Sequence, residues 1–277
     1  MKLIKPSFLI KEQEPELIGI YRQIEYAGRI CYKSSNKITP DSAKEFVDRM
    51  IISGHGAMLE HGTVYLTVPN KNGIKNLLIY YYEKNPYSKV VCTNDNVHIT
   101  TNYRVIIENN WNDDLEYITA PTEFHARRTT VKFICDRGVS HEFVRHRVFS
   151  FAQESTRYCN YTKDKFNNEL TFIIPCWIKD LEEGNYDANY EYHYAKNDPS
   201  KEWFYECLDT ESSYIYLIHN GWKPQEARTV LPNSLKTELI MTGFNTDWQH
   251  FFELRCAHNA HPQAKELADM LKDKFNK

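Results

Sequence analysis

The segment from Ser140 to Tyr161 carries side chains that could bind a phosphorylated, ring-bearing ligand. Its sequence is SHEFVRHRVFSFAQESTRYCNY, in which three arginines are interleaved with hydroxyl and aromatic side chains. Arginine presents a planar, permanently charged group that matches phosphate oxygens, and serine hydroxyls and backbone N–H groups can complete such a site. The composition of the segment is also compatible with an amphipathic helix whose arginines face solvent.

The composition of the whole chain indicates a globular protein without a general affinity for polyanions. The 277 residues are 42% hydrophobic and 26% charged, with a net charge of −3 and a sequence pI near 6.4. This balance gives no global attraction to nucleic acid or anionic membranes, so any anion site must be local. No apolar run approaches the ~20 residues of a membrane span, and the first residues lack a signal-peptide pattern. We therefore expect a cytoplasmic protein.

The cysteines also favour a reducing compartment. There are seven of them, scattered along the chain without a C-x-x-C pair. An odd, dispersed set is typical of reduced thiols rather than of a disulfide framework or a zinc site. Cys159 lies close to the arginine-rich segment, and we expect it to be a structural thiol.

Two patterns superficially resemble metal sites, and neither has suitable spacing. His55, Glu60 and His61 lie in a loop punctuated by glycines, which is a weak pattern for metal ligands. The stretch from His141 to His146 is H-E-x-x-x-H, whereas zinc proteases have H-E-x-x-H. Five residues on a helix would turn the second histidine about 140° away from the first. The sequence therefore predicts no metal.

The apolar pattern places the arginine-rich segment after a strand. Thr129–Cys135 has the β-branched composition of a strand, and Ser140 is suited to be the N-cap of a following helix. A helix that starts at a sheet edge offers its free N–H groups to an anion. Residues 97–107 also resemble a strand, and Asp247 is suited to cap a helix that continues to residue 258.

Strands and helices are mixed along the chain without regular βαβ alternation. This order predicts an α+β fold, with a small, mainly antiparallel sheet flanked by helices. We expect a single domain over residues 1–277, with residues 70–125 inserted as an accessory layer. Further helices are predicted at 15–31, 41–54, 74–84, 202–219 and 262–275, and further strands at 3–10, 63–68 and 235–243.

The motif Arg145-His146-Arg147-x7-Ser155 resembles the signature R-H-R-x7-S of the flavin-dependent thymidylate synthases. The Arg-Tyr pair that follows the signature in that family is present as Arg157-Tyr158. Three further family patterns occur in the same order, namely H-x4-E-H from His55 to His61, A-R-x-x-L-P from Ala227 to Pro232, and F-x-x-L-R-x4-A from Phe251 to Ala260. The resemblance covers about residues 45–65 and 125–270 and leaves the segment 70–125 uncovered.

This resemblance implies the reductive methylation of dUMP to dTMP. Methylenetetrahydrofolate would supply the carbon, NADPH the electrons, and tightly held FAD would carry hydride. Members of the family are typically homotetramers whose active sites are shared between subunits. The resemblance thus implies small-molecule substrates and a second copy of the chain as partners, and neither a nucleic acid polymer nor a membrane.

The resemblance also implies a set of residues for each ligand. The residues implied for dUMP are Glu142, Phe143, Val144, Arg145, Gln153, Glu154, Ser155, Thr156, Arg157, Arg228 and Arg255. The residues implied for FAD are Ala57, Arg145, His146, Arg147, Phe244, Asn245, Thr246 and His250. Within these sets Arg157 and Arg228 would hold the nucleotide's phosphate. Arg255 would act catalytically, by contacting the uracil ring and stabilising its N3-deprotonated form.

The chain departs from the family pattern at four of these positions. Glu142 stands where many members have Gln, Ala57 where the family often has Thr, and Phe244 and Thr246 where Asn and Arg often help to hold FAD. An acid at position 142 would repel phosphate unless it were paired with an arginine or protonated. Ala57 can offer the flavin only its backbone, and Asn245 can supply part of the contact to the cofactor's phosphates.

Ring activation by an arginine is consistent with the chemistry of uracil. Uracil C5 is a poor nucleophile, so electron density must be pushed toward it. A guanidinium cannot act as a base, because its pKa is above about 12, but it can stabilise an anion that develops on the ring. The redox step would belong to the flavin. Taken singly, Arg228 could instead pair with Glu226, Arg255 could cap a helix end, and His250 could pack in the core.

A non-enzymatic nucleotide- or RNA-binding module that uses the arginine cluster is the alternative function. Such a module would bind oligonucleotides with a steep salt dependence, and the acidic balance of the chain argues against it. A phosphohydrolase would require clustered aspartates or metal-binding histidines, which the sequence pattern does not offer.

Overall fold

The computed structural model describes residues 1–70, 74–190 and 198–275. The strands are β1 (Lys2–Ile4), β2 (Ser7–Lys11), β3 (Thr63–Pro69), β4 (Lys89–Cys92), β5 (Asn96–Asn102), β6 (Arg128–Asp136), β7 (Ser150–Gln153), β8 (Thr171–Ile173), β9 (Gly184–Asn185) and β10 (Lys236–Phe244). The helices are α1 (Glu16–Cys31), α2 (Ser42–Ile52), α3 (Gly56–Leu59), α4 (Ile74–Lys84), α5 (Tyr103–Asn109), α6 (Arg137–Phe143), α7 (Pro199–His219), α8 (Pro224–Ala227), α9 (Asn245–Arg255) and α10 (Pro262–Phe275). None of the helices in these ranges is long and apolar enough to cross a membrane.

A four-stranded antiparallel sheet in the order β2-β6-β10-β7 forms the centre of the fold. β6 and β10 pair along their full length. Alternate side chains of these strands point to one face, where Phe133, Leu239 and Met241 pack against Trp248 and Leu267. Full burial of a large apolar side chain contributes roughly 1.5–3 kcal/mol. This layer therefore fixes α9 and α10 against the sheet.

Helix α1 covers the opposite face of the same sheet. Ala27 and Ile30 of α1 pack against Ala152 of β7 and Ile240 of β10. Ile240 points to this face because successive side chains of a strand alternate between the two faces. The C-terminal end of α1 consequently lies beside the end of β7, within the arginine-rich segment.

Two smaller sheets flank the central one. In the first, β1 pairs in parallel with β8 and antiparallel with β9, and Leu3 and Phe172 pack against Phe204 of α7. In the second, β5 pairs antiparallel with both β3 and β4. Most of the second sheet lies within residues 70–125, and its pairing extends to β3. The boundaries of the inserted segment remain a prediction.

The predicted α+β class is confirmed, although the described residues form three sheets rather than one. The predicted start of a helix at Ser140 is wrong. α6 begins at Arg137, because the side chain of Asp136 accepts a hydrogen bond from the N–H of Val139 at 2.7 Å and so acts as the N-cap. The hydroxyl of Ser140 instead donates to the carbonyl of Arg137. Since α6 ends at Phe143, the signature arginines lie beyond the helix.

Two other predicted boundaries are also wrong. The strand predicted for residues 97–107 ends at Asn102, whose side chain accepts from the N–H of Val105 at 3.2 Å and starts α5. Asp247 is not an N-cap. It lies in the first turn of α9, where its carboxylate accepts from the N–H of the N-cap residue Phe244 at 3.1 Å. The strand predicted at residues 3–10, which contains Pro6, is divided between β1 and β2, which belong to different sheets. The remaining predicted helices and strands are confirmed to within a few residues.

Candidate functional site

The turn that follows α6 exposes two arginines. The N–H of His146 donates to the carbonyl of Phe143 at 3.1 Å and closes the turn. The Nε of Arg145 donates to the carbonyl of His141 at 3.3 Å. Arg145 and Arg147 are exposed, and neither forms an ion pair with a residue that the structure describes. Most of their N–H groups are therefore available to an anionic ligand.

Arg255 joins the end of α9 to the end of α6. Its Nη1 donates to Oε2 of Glu142 at 2.7 Å, its Nη2 donates to the carbonyl oxygen of Glu142, and its Nε donates to Nε2 of His146 at 2.9 Å. A guanidinium carries five N–H groups, so two remain for a ligand. Arg255 does not cap its own helix end, because all three of these hydrogen bonds leave α9. The structure thus brings together three of the predicted site residues.

The two histidines predicted to bind flavin differ in environment. Burial, together with the positive charge of Arg255, lowers the pKa of His146 to about 4. A neutral imidazole that accepts at Nε2 carries its proton on Nδ1, so the contact with Arg255 fixes the tautomer. The His146 ring also packs 5.0 Å from the ring of Phe251. His250, in contrast, is exposed and lies 3.3 Å from a carboxylate oxygen of Glu253.

The loop of residues 153–157 leaves the end of β7 and is held by its backbone. The N–H of Glu154 donates to the carbonyl of Glu238 at 2.9 Å, and the N–H of Ser155 donates to the carbonyl of Cys31 at 3.1 Å. The first contact ties the loop to β10, and the second ties it to the end of α1. The loop predicted to bind dUMP is therefore fixed between two elements of the core.

Three further residues predicted to bind dUMP differ in accessibility. The Nε2 of Gln153 donates to the hydroxyls of Ser140 and Thr237 at 2.9 and 3.2 Å. Phe143 is fully buried in the core, so only its backbone can face a ligand. Val144 is exposed.

Glu154 is buried and paired within the fold. Its Oε2 accepts from the ammonium of Lys236 at 2.6 Å, and its Oε1 accepts from the hydroxyl of Tyr161 at 3.3 Å. Its carboxylate and its backbone N–H are therefore both occupied within the fold. Burial, together with the charge of Glu154, raises the pKa of the nearby Cys159 thiol to about 12. That thiol is neutral at physiological pH and is a poor nucleophile.

Glu238 forms ion pairs with three lysines, and the sequence analysis did not identify this cluster. Its carboxylate contacts the ammonium groups of Lys33, Lys132 and Lys236, the last two at 2.9 Å. Burial opposes ionisation of Glu238, but the charges of Lys236, Lys33 and Lys132 outweigh it and hold its pKa well below the usual range. The sequence does contain one indication of this cluster. Lys236 and Glu238 are two residues apart in a strand, so their oppositely charged side chains lie on the same face of the sheet.

Arg157 and Arg228, both predicted to bind phosphate, meet at one place. The Nε of Arg157 donates to Oε1 of Gln225 at 3.3 Å, and the Nη1 of Arg228 donates to the hydroxyl of Thr156 at 3.4 Å. Both arginines are exposed, and within the described ranges neither has a carboxylate partner. Glu226 caps its own helix instead of pairing with Arg228. Two guanidinium groups on contacting loops, neither with a carboxylate partner among the described residues, suit a phosphate dianion.

Ala57 lies in α3 beside a cavity of about 460 Å³. Gly28, Cys31 and Phe46 also line the cavity, which is more apolar than polar. The carbonyl of Cys31 accepts from the N–H of Ser155. The cavity beside Ala57, a residue predicted to bind flavin, therefore adjoins the loop predicted to bind dUMP.

Phe244, Asn245 and Thr246 form the junction between β10 and α9. The side-chain oxygen of Asn245 accepts from the hydroxyl of Thr129 at 2.7 Å, so that oxygen is used within the fold. Thr246 is exposed, and its hydroxyl accepts from the ammonium of Lys89 at 2.7 Å. Phe244 is 8% exposed. The sequence analysis assigned no cation to this junction. In the structure, Lys89 of β4 places its ammonium there.

The residues present fit a flavin dinucleotide, which is an extended aromatic ring system joined to a diphosphate. The cavity next to Ala57 offers an apolar wall for a ring, and the exposed Arg145 and Arg147 and the half-buried Lys89 offer donors for phosphate oxygens. The Nε2 atom of His61 is buried and has no hydrogen-bond partner among the described residues. His61 ends the histidine loop that contains Ala57, but it does not line this cavity.

Comparison with known proteins gives a consistent family. Residues 110–277 match the model of a family described as thymidylate synthase complementing protein. A flavin-dependent thymidylate synthase of Pyrococcus furiosus is 33% identical over 134 residues, which are 48% of this chain and 48% of that protein. The match thus spans about half the length of that relative. A flavin-dependent thymidylate synthase of Corynebacterium aurimucosum is 23% identical over 252 residues, covering 88% of this chain and 71% of that protein.

Among solved structures, a UMP/dUMP methylase, PolB from Streptomyces cacaoi bound with 5-Br UMP, aligns with a TM-score of 0.45 and 15% sequence identity. The alignment covers 99% of this chain and 91% of that one.

Proposed function

Because the chain belongs to the family of thymidylate synthase complementing proteins, we propose that it catalyses the reductive methylation of dUMP to dTMP. Methylenetetrahydrofolate supplies the carbon and NADPH the electrons in this proposal. Bound FAD supplies the hydride-transfer chemistry that no protein side chain can provide. We further propose that the chain acts as a homotetramer with shared active sites.

The contact of Arg255 with Glu142 and His146 is the observation that carries this proposal. The side chains of the ion pair are 14% and 35% exposed, so the guanidinium is largely removed from solvent and yet reachable. A hydrogen-bond donor that is already oriented can stabilise charge that develops on a ligand without a free-energy cost for its own reorientation. Its two remaining N–H groups suit a carbonyl oxygen and ring nitrogen of uracil.

In the proposed mechanism the two ends of dUMP are held by different arginines. Arg157 and Arg228 bind the phosphate, because they lie on neighbouring loops and lack a carboxylate partner among the described residues. Arg255 contacts the uracil ring and favours loss of the N3 proton to solvent water, which increases electron density at C5. Glu142 does not bind phosphate in this proposal, since its carboxylate is already paired with Arg255.

His146 holds Arg255 in place by accepting a hydrogen bond as a neutral imidazole. Because its pKa is lowered to about 4 by burial and by Arg255, it stays neutral at physiological pH and does not repel the guanidinium. The attachment of residues 153–157 to β10 and α1 keeps the backbone that carries Arg157 in a fixed position.

The direct test is product formation by the purified protein. Incubation with dUMP, methylenetetrahydrofolate, NADPH and FAD should give dTMP, detected by chromatography, and omission of the folate or the reductant should abolish it. The purified protein should also bind FAD and release it on denaturation. A protein that binds no flavin and makes no dTMP under these conditions would exclude the proposal. Retention on a polynucleotide column at moderate salt would then favour the nucleic-acid-binding alternative.

A further inference from the structure

Lys89 of β4 reaches the junction between β10 and α9. Its ammonium donates to the hydroxyl of Thr246 at 2.7 Å and lies 4.4 Å from the centroid of the Phe244 ring. An ammonium has three N–H donors, so two of them remain without a protein acceptor among the described residues. No carboxylate in the described ranges forms an ion pair with Lys89. The β3-β5-β4 sheet thus brings an uncompensated positive charge to this junction.

Arg128 brings a second positive charge to the same aromatic ring. Its guanidinium carbon lies 5.6 Å from the centroid of the Phe244 ring. Its Nη1 donates to the hydroxyl of Thr63 at 3.2 Å, and its Nη2 donates to the carbonyl of Glu60 at 3.1 Å. Both acceptors are neutral, so the charge of the guanidinium is not balanced by these bonds. Burial lowers the pKa of Arg128 to about 10, which leaves the side chain charged at physiological pH.

The nearest carboxylates are committed to other partners. Glu60 pairs with Arg104 at 2.6 Å, and Asp247 accepts from the N–H of Phe244 at 3.1 Å. Both carboxylates act on Arg128 at longer range, but neither forms an ion pair with it. A half-buried cation without a close counter-ion is costly, and a second cation against the same ring adds repulsion. Both effects are relieved when an anion with several oxygen acceptors binds to the two groups.

We infer that Lys89 and Arg128 bind the diphosphate of a flavin dinucleotide at the β10–α9 junction. This inference rests on the proposed function, which assigns Phe244, Asn245 and Thr246 to the flavin. A diphosphate carries the negative charge and the oxygen acceptors that the two cations lack. The segment that contains β4 is thereby part of the cofactor site, and the second sheet serves to position Lys89.

The test compares Lys89→Gln with a matched control, Lys84→Gln. Glutamine at position 89 removes the charge and retains a donor for Thr246. Lys84 lies in the same inserted segment and has similar contacts, because its ammonium donates to the hydroxyl of Tyr80 at 2.7 Å and lies 4.3 Å from the centroid of that ring. Each variant is titrated with FAD, and with riboflavin, which has the ring system and no phosphate. Binding is followed by flavin fluorescence at low and high salt.

Loss of a charge-assisted hydrogen bond to phosphate should weaken FAD binding by about tenfold or more in Lys89→Gln. Riboflavin binding should be unchanged, high salt should reduce the difference, and Lys89→Arg should restore FAD affinity. Lys84→Gln should match the wild type throughout. Equal loss of FAD and riboflavin, or no loss at all, would overturn the inference while leaving the proposed function intact. A wild-type protein that binds neither flavin would overturn both.

Discussion

Replacement of Arg255 by alanine removes the guanidinium that Glu142 and His146 orient. In the structure, three of its five N–H groups are committed to those two residues. The remaining two are the ones we assign to the uracil ring. Removal of a single donor that stabilises negative charge in a transition state typically lowers kcat about 10²–10³-fold. We therefore expect Arg255→Ala to lower the rate of dTMP formation by about that factor.

The same substitution should have only a small effect on stability. Glu142 is 35% exposed, so water can solvate its carboxylate once Arg255 is gone. Arg255 is 14% exposed and also bonds the buried His146, so its loss should cost about 1–2 kcal/mol, which corresponds to a fall in Tm of about 3–6 °C. The assay is single-turnover formation of dTMP, measured together with flavin content and thermal unfolding. Flavin content close to that of the wild type would show that the loss of activity is not a loss of cofactor.

Glu142→Gln is the matched control for this experiment. Its side-chain oxygen still accepts from Arg255, and the backbone contact is unchanged, so the guanidinium should stay in place. We expect its dTMP-forming rate to remain within about tenfold of the wild type. Near-normal turnover by Arg255→Ala would refute the ring-activating role. Equal losses of dTMP-forming rate in Arg255→Ala and Glu142→Gln would show that activity depends on the contact between Arg255 and Glu142. The free N–H groups of Arg255 would then have no separate role.

Three further predictions concern the nucleotide loop, the flavin cavity and acid stability. Arg157→Ala should raise the KM for dUMP about 10- to 100-fold with little change in kcat, since it removes a phosphate contact; an unchanged KM in steady-state assays would contradict this. Gly28→Ala should destabilise the protein by about 1–3 kcal/mol in urea unfolding, because the added Cβ would lie 2.5 Å from the Phe46 ring. Burial lowers the pKa of His61 to about 3 and that of His146 to about 4, so the unfolded chain takes up protons at these residues first as pH falls below about 6.5. The free energy of unfolding should therefore fall between pH 7.5 and 5, by up to about 2 kcal/mol for each histidine, and a flat pH profile in urea titrations would contradict it.

Local signals in the sequence were sufficient for most helices and strands but not for every boundary. The α6 cap shows why. Asp136 and Ser140 are both good N-caps, and the earlier one prevails because its carboxylate reaches the N–H of Val139. The β-branched run after Asn102 has a strand-like composition, yet it forms α5, where Val105 and Ile106 are buried. Burial there outweighs intrinsic propensity.

The residues of the candidate site also differ in whether the sequence alone could identify them. The signature and its neighbours could be identified from local patterns, since Arg157 and the Arg145 turn lie close together in sequence. The partners that hold them could not, because Lys33 and Lys132 meet Glu238 only through the packing of α1 and the register of β6 with β10. The role proposed for Lys89 could not be predicted from the sequence either, since no motif near it indicates a ligand site.

The attachment of residues 153–157 has a consequence for the motion of the protein. The N–H groups of Glu154 and Ser155 donate to β10 and to the end of α1, and the Glu154 carboxylate is locked to Lys236. This loop therefore cannot open without disturbing the central sheet, and its amides should exchange with deuterium nearly as slowly as those of β10. The exposed arginines around it carry no such restraint. Nucleotide entry should thus involve side-chain rearrangement on a fixed backbone rather than the opening of a lid.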